Sequence, residues 1–370
     1  AVARDSLLLD AWSDRARIRA MLHGPGPNAV SADAARAAVE RVRRLDGDGA
    51  LALRARAWEA RYVARNESEA ASLLTRAAAL MPGDAEFVSA AATAKALTGE
   101  FGLAMAGYEQ ATRLDPRNAV IVRNLAIAQT RLGRIDDARR SAQRARALAP
   151  GSPTSLGTQV TIELAAGDTA GARRLLEDAA RTIPIDRLLK NFIGSAGDWL
   201  LPRAAVRSYF ARGPAETFDG DRADWAVAQA DLAFAWGDTA AARAWGDTAR
   251  RAYEVGRRTS PATFADHQGY GTVLAYTGRG REAMREARIA LADARRAAAS
   301  PRSHTVASQL YFATTIAVVA GDRDAAVAWL RELRGIPSPY SAARLRIDPF
   351  LAPLRGDPRF TALLATPDPR

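Results

Sequence analysis

The chain has 370 residues, no cysteine, and 52 lysines and arginines against 41 aspartates and glutamates, for a net charge of +11. Lacking cysteine, it can form no disulfide, thiolate metal site or thiol nucleophile. The longest uncharged run, His304–Gly321, contains Ser308, Gln309, Thr314 and Thr315; it reads as a buried helix, not a membrane span.

Alanine-rich segments with few strand signals predict an all-α protein. Residues 1–50 form an irregular first helix pair, Asp5–Leu22 and Ser31–Leu45, with Trp12 and Ile18 facing inward and the turn "HGPGPNAV" starting at His23. Residues 51–186 fall into four rows of 34. Pro82, Pro116, Pro150 and Pro184 close the rows. Ala70, Ala104, Ala138 and Ala172 share one column; Ala77, Ala111, Ala145 and Ala179 share another. Gly99, Gly133 and Gly167 share a third, where the first row has Arg65. Small residues suit the crossing of two helices, glycine ends the first helix, and proline follows the second.

Residues 187–220, with "NFIGSAGDWLLP" and "ARGPAETFDGD", predict a degenerate pair of short helices, Ile185–Ser195 and Arg203–Arg212, acting as a hinge. Residues 221–335 hold three longer pairs: Gly237 precedes Ala242 and Ala249, Gly278 precedes Ala283 and Ala290, and Gly321 precedes Ala326. Gly271 takes the small position on a first helix, and Asp238 or Thr239 is the expected N-cap after Gly237. A second Gly-Asp-Thr, at 246–248, falls inside the following helix. Residues 336–370 form a capping tail, predicted to lay Phe350, Leu354, Phe360 and Leu363 over the exposed end of the last repeat.

A 34-residue period with these columns resembles the tetratricopeptide repeat, a helix–turn–helix unit. The resemblance implies a right-handed superhelix of about nine antiparallel helix pairs, an α-solenoid with a short C-terminal helical cap. The tail resembles the end of the repeat region in bacterial serine/threonine kinases, adenylate cyclases and winged-helix regulators. The matching residues are Ile336, Pro337, Ser338, Leu345, Asp348, Pro349, Pro353, Leu354, Arg355, Asp357, Pro358, Arg359 and Phe360. The chain carries none of those proteins' effector motifs.

No catalytic constellation, metal site or cofactor is expected. His23, His267 and His304 are far apart with no His-x-x-x-His pair, and Gly194-Ser195-Ala196-Gly197 lacks the spacing of a nucleophile elbow. An enzyme would need a deep polar pocket at 187–220 with a strongly shifted carboxylate. The expected functional surface is the face lined by the first helices. Its inward positions are Arg56, Glu59 and Tyr62, then Arg123, Asn124, Ile127 and Arg131. The arginine excess has two readings: codon usage with solvated helix faces, or a basic surface for an acidic partner. Arg250–Arg302 holds 11 arginines against 5 acids, which makes Arg250, Arg251, Arg257, Arg258, Arg279 and Arg281 the candidate basic face. The expected partners are proteins, as peptides or complex subunits with an acidic surface favoured. Peripheral contact with an anionic membrane surface is compatible; nucleic acid and a small-molecule substrate are not expected. The reading is a non-enzymatic interaction scaffold, soluble or membrane-extrinsic, with the regulatory repeat region of a bacterial signalling protein as the alternative.

Overall fold

The second helices of the regular repeats begin at Glu67, Phe101, Ile135 and Thr169, 34 residues apart. They belong to a computed structural model that describes residues 8–23, 30–194, 197–256 and 264–369. Among these residues the helices pair consecutively: Leu9–Met21 with Ala32–Asp46, Ala50–Tyr62 with Glu67–Leu80, Ala85–Leu97 with Phe101–Leu114, Ala119–Arg131 with Ile135–Leu148, and Pro153–Ala165 with Thr169–Ala180. The short helices Ile185–Phe192 and Arg203–Ala211 follow, then Arg222–Ala235 with Thr239–Gly256, Phe264–Tyr276 with Gly280–Ala297, and His304–Ala320 with Arg323–Leu333. The tail adds Ala342–Ile347, the 3-10 helix Pro349–Leu354 and Pro358–Ala365. The fold is all-α, and its described helices make nine consecutive pairs.

The glycine column does what its position requires. Gly133, Gly237 and Gly321 have φ of +70°, +85° and +81°. After each, an amide reaches back across the turn: Arg134 N to Gln129 O, Asp238 N to Ala233 O and Asp322 N to Ala317 O, all 2.9 Å. This satisfies carbonyls that the helix end leaves open. The aspartate after glycine then starts the next helix. Asp168, Asp238 and Asp322 accept from the amides of Gly171, Ala241 and Ala325 at 2.7, 2.9 and 3.0 Å. Arg65 takes the same left-handed turn with φ +54°. Both alanine columns of the regular repeats are fully buried, because a larger side chain would hold the helices apart. The second Gly-Asp-Thr lies inside helix Thr239–Gly256, and Gly246 sits where an added Cβ would be 2.8 Å from the Cβ of Tyr276.

The chain divides into two compact units, Ala1–Ala128 with Arg295–His304, and Gln129–Ala294 with Thr305–Arg370. The first is built on Leu53, Leu73, Leu74, Phe87 and Leu97. Trp12 packs on its N-terminal cluster, but Ile18 is 49% exposed and turns outward, so the expected inner stripe of the first helix runs through Ser13, Ala16 and Ala20 instead. The core of the second unit includes Leu156, Leu164, Leu189, Phe192, Phe210 and Leu232. The stretch 187–220 lies within this unit.

The tail does more than cap. Pro358–Ala365 packs on the last repeat, with Arg359 reaching Asp324 at 2.6 Å and Leu354 and Phe360 buried. Phe350 departs from the expected cap and stacks on Phe234 of helix Arg222–Ala235, ring centroids 5.9 Å apart. Ser341 donates from its hydroxyl to Ala165 O at 2.5 Å, and Tyr340 stacks on Tyr311 at 4.5 Å. Residues 340–350 therefore cross the first helices Pro153–Ala165, His304–Ala320 and Arg222–Ala235. The ion pair Arg344–Asp348, 3.2 Å, offsets the buried guanidinium so that the segment can lie there.

Candidate functional site

The predicted first-helix residues are half-buried in their units. Arg56, Glu59 and Tyr62 form one stripe of helix Ala50–Tyr62. Arg56 pairs with Asp48 at 3.5 Å, Glu59 with Arg36 at 3.4 Å, and Tyr62 stacks on Trp58 at 5.8 Å under the guanidinium of Arg61. Arg123, Asn124 and Ile127 share helix Ala119–Arg131. Burial holds the Arg123 guanidinium below its usual pKa. Arg131 belongs to the second unit and lines a cavity of about 320 Å³ beside Arg139, Tyr340 and Asp368.

On the candidate basic face, Arg257 and Arg258 lie outside the described residues. Arg250 contacts Asp247 at 2.6 Å and Glu254 at 2.8 Å, Arg251 contacts Asp247 at 2.5 Å, and Arg279 contacts Glu282 at 2.7 Å. Arg279 also reaches Glu254 at 3.4 Å, which brings Arg250 and Arg279 together around one carboxylate. Arg281 is exposed. Much of the local positive charge is thus offset by neighbouring acids.

Sequence reasoning missed a partly open cavity of about 180 Å³ on the first-helix side of the second unit. Its walls come from helices Arg222–Ala235, Phe264–Tyr276 and His304–Ala320; the tail, Gly194 and the segment 197–199 complete it. Gly197, at φ +94°, allows this segment to approach helix Pro153–Ala165, since an added Cβ would be 2.9 Å from Leu164 Cδ1. The turn delivers Asp198, which is 9% exposed and accepts from Gly194 N at 3.0 Å. Burial pushes the Asp198 carboxyl up to about 7, and the nearby charge of Asp231 adds to the rise. Asp231 lines the same cavity, accepts from Tyr276 Oη at 2.7 Å and is pushed up to about 6 by burial. Opposite them, Tyr311 donates to Asp348 Oδ2 at 2.9 Å, and Arg344 lies beside the same oxygen.

This cavity holds the shifted carboxylate that chemistry at 187–220 would require, but its threonine hydroxyls are engaged. Thr272 and Thr315 donate to the carbonyls of Gln268 and Phe312 at 3.0 and 2.8 Å, and neither has an adjacent base. His267 instead contacts Glu286 at 2.5 Å. Among the described residues no cluster of histidine, aspartate and glutamate has metal-binding geometry, and no helix is long and apolar enough to cross a membrane.

The pairing of helices, the glycine turns and the buried alanine columns define a tetratricopeptide-type repeat fold. Several solved structures are similar to the chain. Yeast Tom70 is similar over 84% of this chain and 65% of its own, with 12% identity and a TM-score of 0.52. A chain of the APC/C hetero-tetramer Cut9–Hcn1 is similar over 96% of this chain and 62% of its own at 16% identity and a TM-score of 0.44. PilW, a type IV pilus biogenesis factor, covers 71% and 98% at 18% identity and a TM-score of 0.38. No protein-family model and no curated protein sequence matches the chain. The fold is that of tetratricopeptide-repeat proteins, whose stacked repeats generally serve as binding surfaces for other polypeptides.

Proposed function

We propose that this chain is a non-enzymatic scaffold that holds a partner polypeptide on the first-helix face of its first unit, as a structural or assembly subunit. The supporting observation lies in the second unit, where residues 340–350 occupy the equivalent face through Ser341, Tyr340, Asp348 and Phe350. The chain's own tail is thus an example of the kind of segment such a face accepts. In the first unit the corresponding positions are Arg56, Glu59, Tyr62, Arg123, Asn124 and Ile127. The net charge of +11 favours a partner that presents acidic groups, whether an isolated protein or the extrinsic face of a membrane complex. Exposed Leu80, Met81, Leu114 and Val120 add apolar area at the edge where second helices end and first helices begin. Affinity purification from the source organism at low and high salt tests the reading. Recovery of a fixed partner at low salt, weakened by salt and by Arg123→Glu, supports it. A partner retained equally by Arg123→Glu, or no partner, contradicts it.

A further inference from the structure

The 180 Å³ cavity has room for several waters of about 30 Å³ each, and so for a small organic molecule. Its charges do not balance. Arg344 is neutralised by Asp348 at 3.2 Å, whereas Asp198 and Asp231 make no ion pair; each accepts only from neutral donors, Gly194 N and the Trp199 amide for one, and Tyr276 Oη for the other. Asp198 is buried and Asp231 half-buried, and the charge of Arg344 reaches Asp198 only as a minor influence; such carboxylates are costly unless a proton or a bound cation neutralises them. The surrounding walls carry the rings of Trp199, Tyr276, Tyr311, Phe312, Tyr340 and Phe350. Ring faces attract a positive charge, most strongly where water is excluded. A separate observation points to an occupant. Arg344 is 5% exposed and lines the cavity, yet its Nη1 has no hydrogen-bond partner. Trp199 Nε1, on another wall, is a second buried donor without one. Buried donors of this kind are ordinarily satisfied.

We propose that this cavity binds a small organic cation, an amine or quaternary ammonium compound, held by Asp198 and Asp231 among the rings of Tyr276, Tyr311 and Tyr340, with an oxygen of the ligand accepting from Arg344. This site is independent of the partner surface on the first unit, and either can fail without the other.

The test is calorimetric titration of the full chain with choline, with tyramine, and with 3,3-dimethylbutan-1-ol, the uncharged isostere of choline. At least one cation should bind more tightly than about 1 mM, and the isostere should give no heat. Asp231→Asn should weaken binding at least about tenfold, with a circular dichroism spectrum matching the parent. If Asp231→Asn does not fold, Tyr340→Leu, which removes a ring without touching a carboxylate, should show the same loss. Absence of binding by both cations, equal binding of the isostere, or unchanged affinity in the folded variant overturns the proposal and leaves a cavity that holds water only.

Discussion

Arg65 stands where glycine stands in the following repeats, and it keeps the left-handed φ of +54°. The backbone of the turn, not the side chain, is what the repeat specifies. Gly133 isolates that cost, because a Cβ added there meets nothing within 4 Å while φ is +70°. Gly133→Ala should therefore lose about 1 kcal/mol of stability in urea denaturation, with an unchanged m-value; no loss would mean that the turn relaxes freely. The cavity carboxylates make a second prediction at this scale. Asp198 and Asp231 are raised in the folded chain, to about 7 and about 6, from an ordinary value of 3.8. The folded state then binds more protons than the unfolded chain, so their contribution to stability is largest below the ordinary value and is lost as pH rises through 6 to 7. Glu40 and Asp357 are lowered to about 2 by arginine hydrogen bonds and act in the opposite sense, but only at more acid pH. Asp198→Asn should flatten the fall in stability between about pH 4 and about pH 7. Parallel pH curves for parent and variant would show that Asp198 is not the group responsible.

At the scale of elements, the tail segment 340–350 depends on one buried ion pair. Asp348 is fully buried, accepts from Tyr311 and faces Arg344. Asp348→Ala strands the guanidinium and should cost about 3–5 kcal/mol, whereas Arg344→Met with Asp348→Leu should cost much less. Equal losses in the two variants would place the stabilisation in packing and not in the charge pair. These elements also mark what could be read from the sequence. The helix starts, the glycine turns and the alanine columns were legible because stacking forces one solution at a fixed period. Asp238 as a cap was legible because the Gly-Asp dipeptide states both the end of one helix and the start of the next. Ile18 was misjudged because the irregular first pair has no register to fix its phase. The path of the tail was not legible, since Phe350 meets Phe234 across more than a hundred residues and no local pattern encodes that contact. The cavity was hidden for the same reason: Asp198, Asp231, Tyr276, Tyr311 and Arg344 come from separate elements, and the tyrosines occupy positions where aromatic residues usually fill a core. The one sequence signal was the glycine-rich turn that holds Asp198.

At the scale of the molecule, each repeat packs mainly on its neighbours, so the two units can carry different tasks. The second unit covers its own first-helix face with the tail and forms an acidic, aromatic cavity there. The first carries Arg56, Glu59, Tyr62, Arg123, Asn124 and Ile127 on the equivalent face, and there the proposed partner would lie. The net charge of +11 is a weaker guide than it looked, because Arg250, Arg251 and Arg279 are each paired with acids. The most direct measurement is photo-crosslinking in the source organism, with a photoreactive residue replacing Tyr62 or Ile127, and with exposed Arg76 on a second helix as control. The account predicts one discrete protein adduct from positions 62 and 127 and none from 76. An adduct from 76 alone, or none from any position, would contradict it.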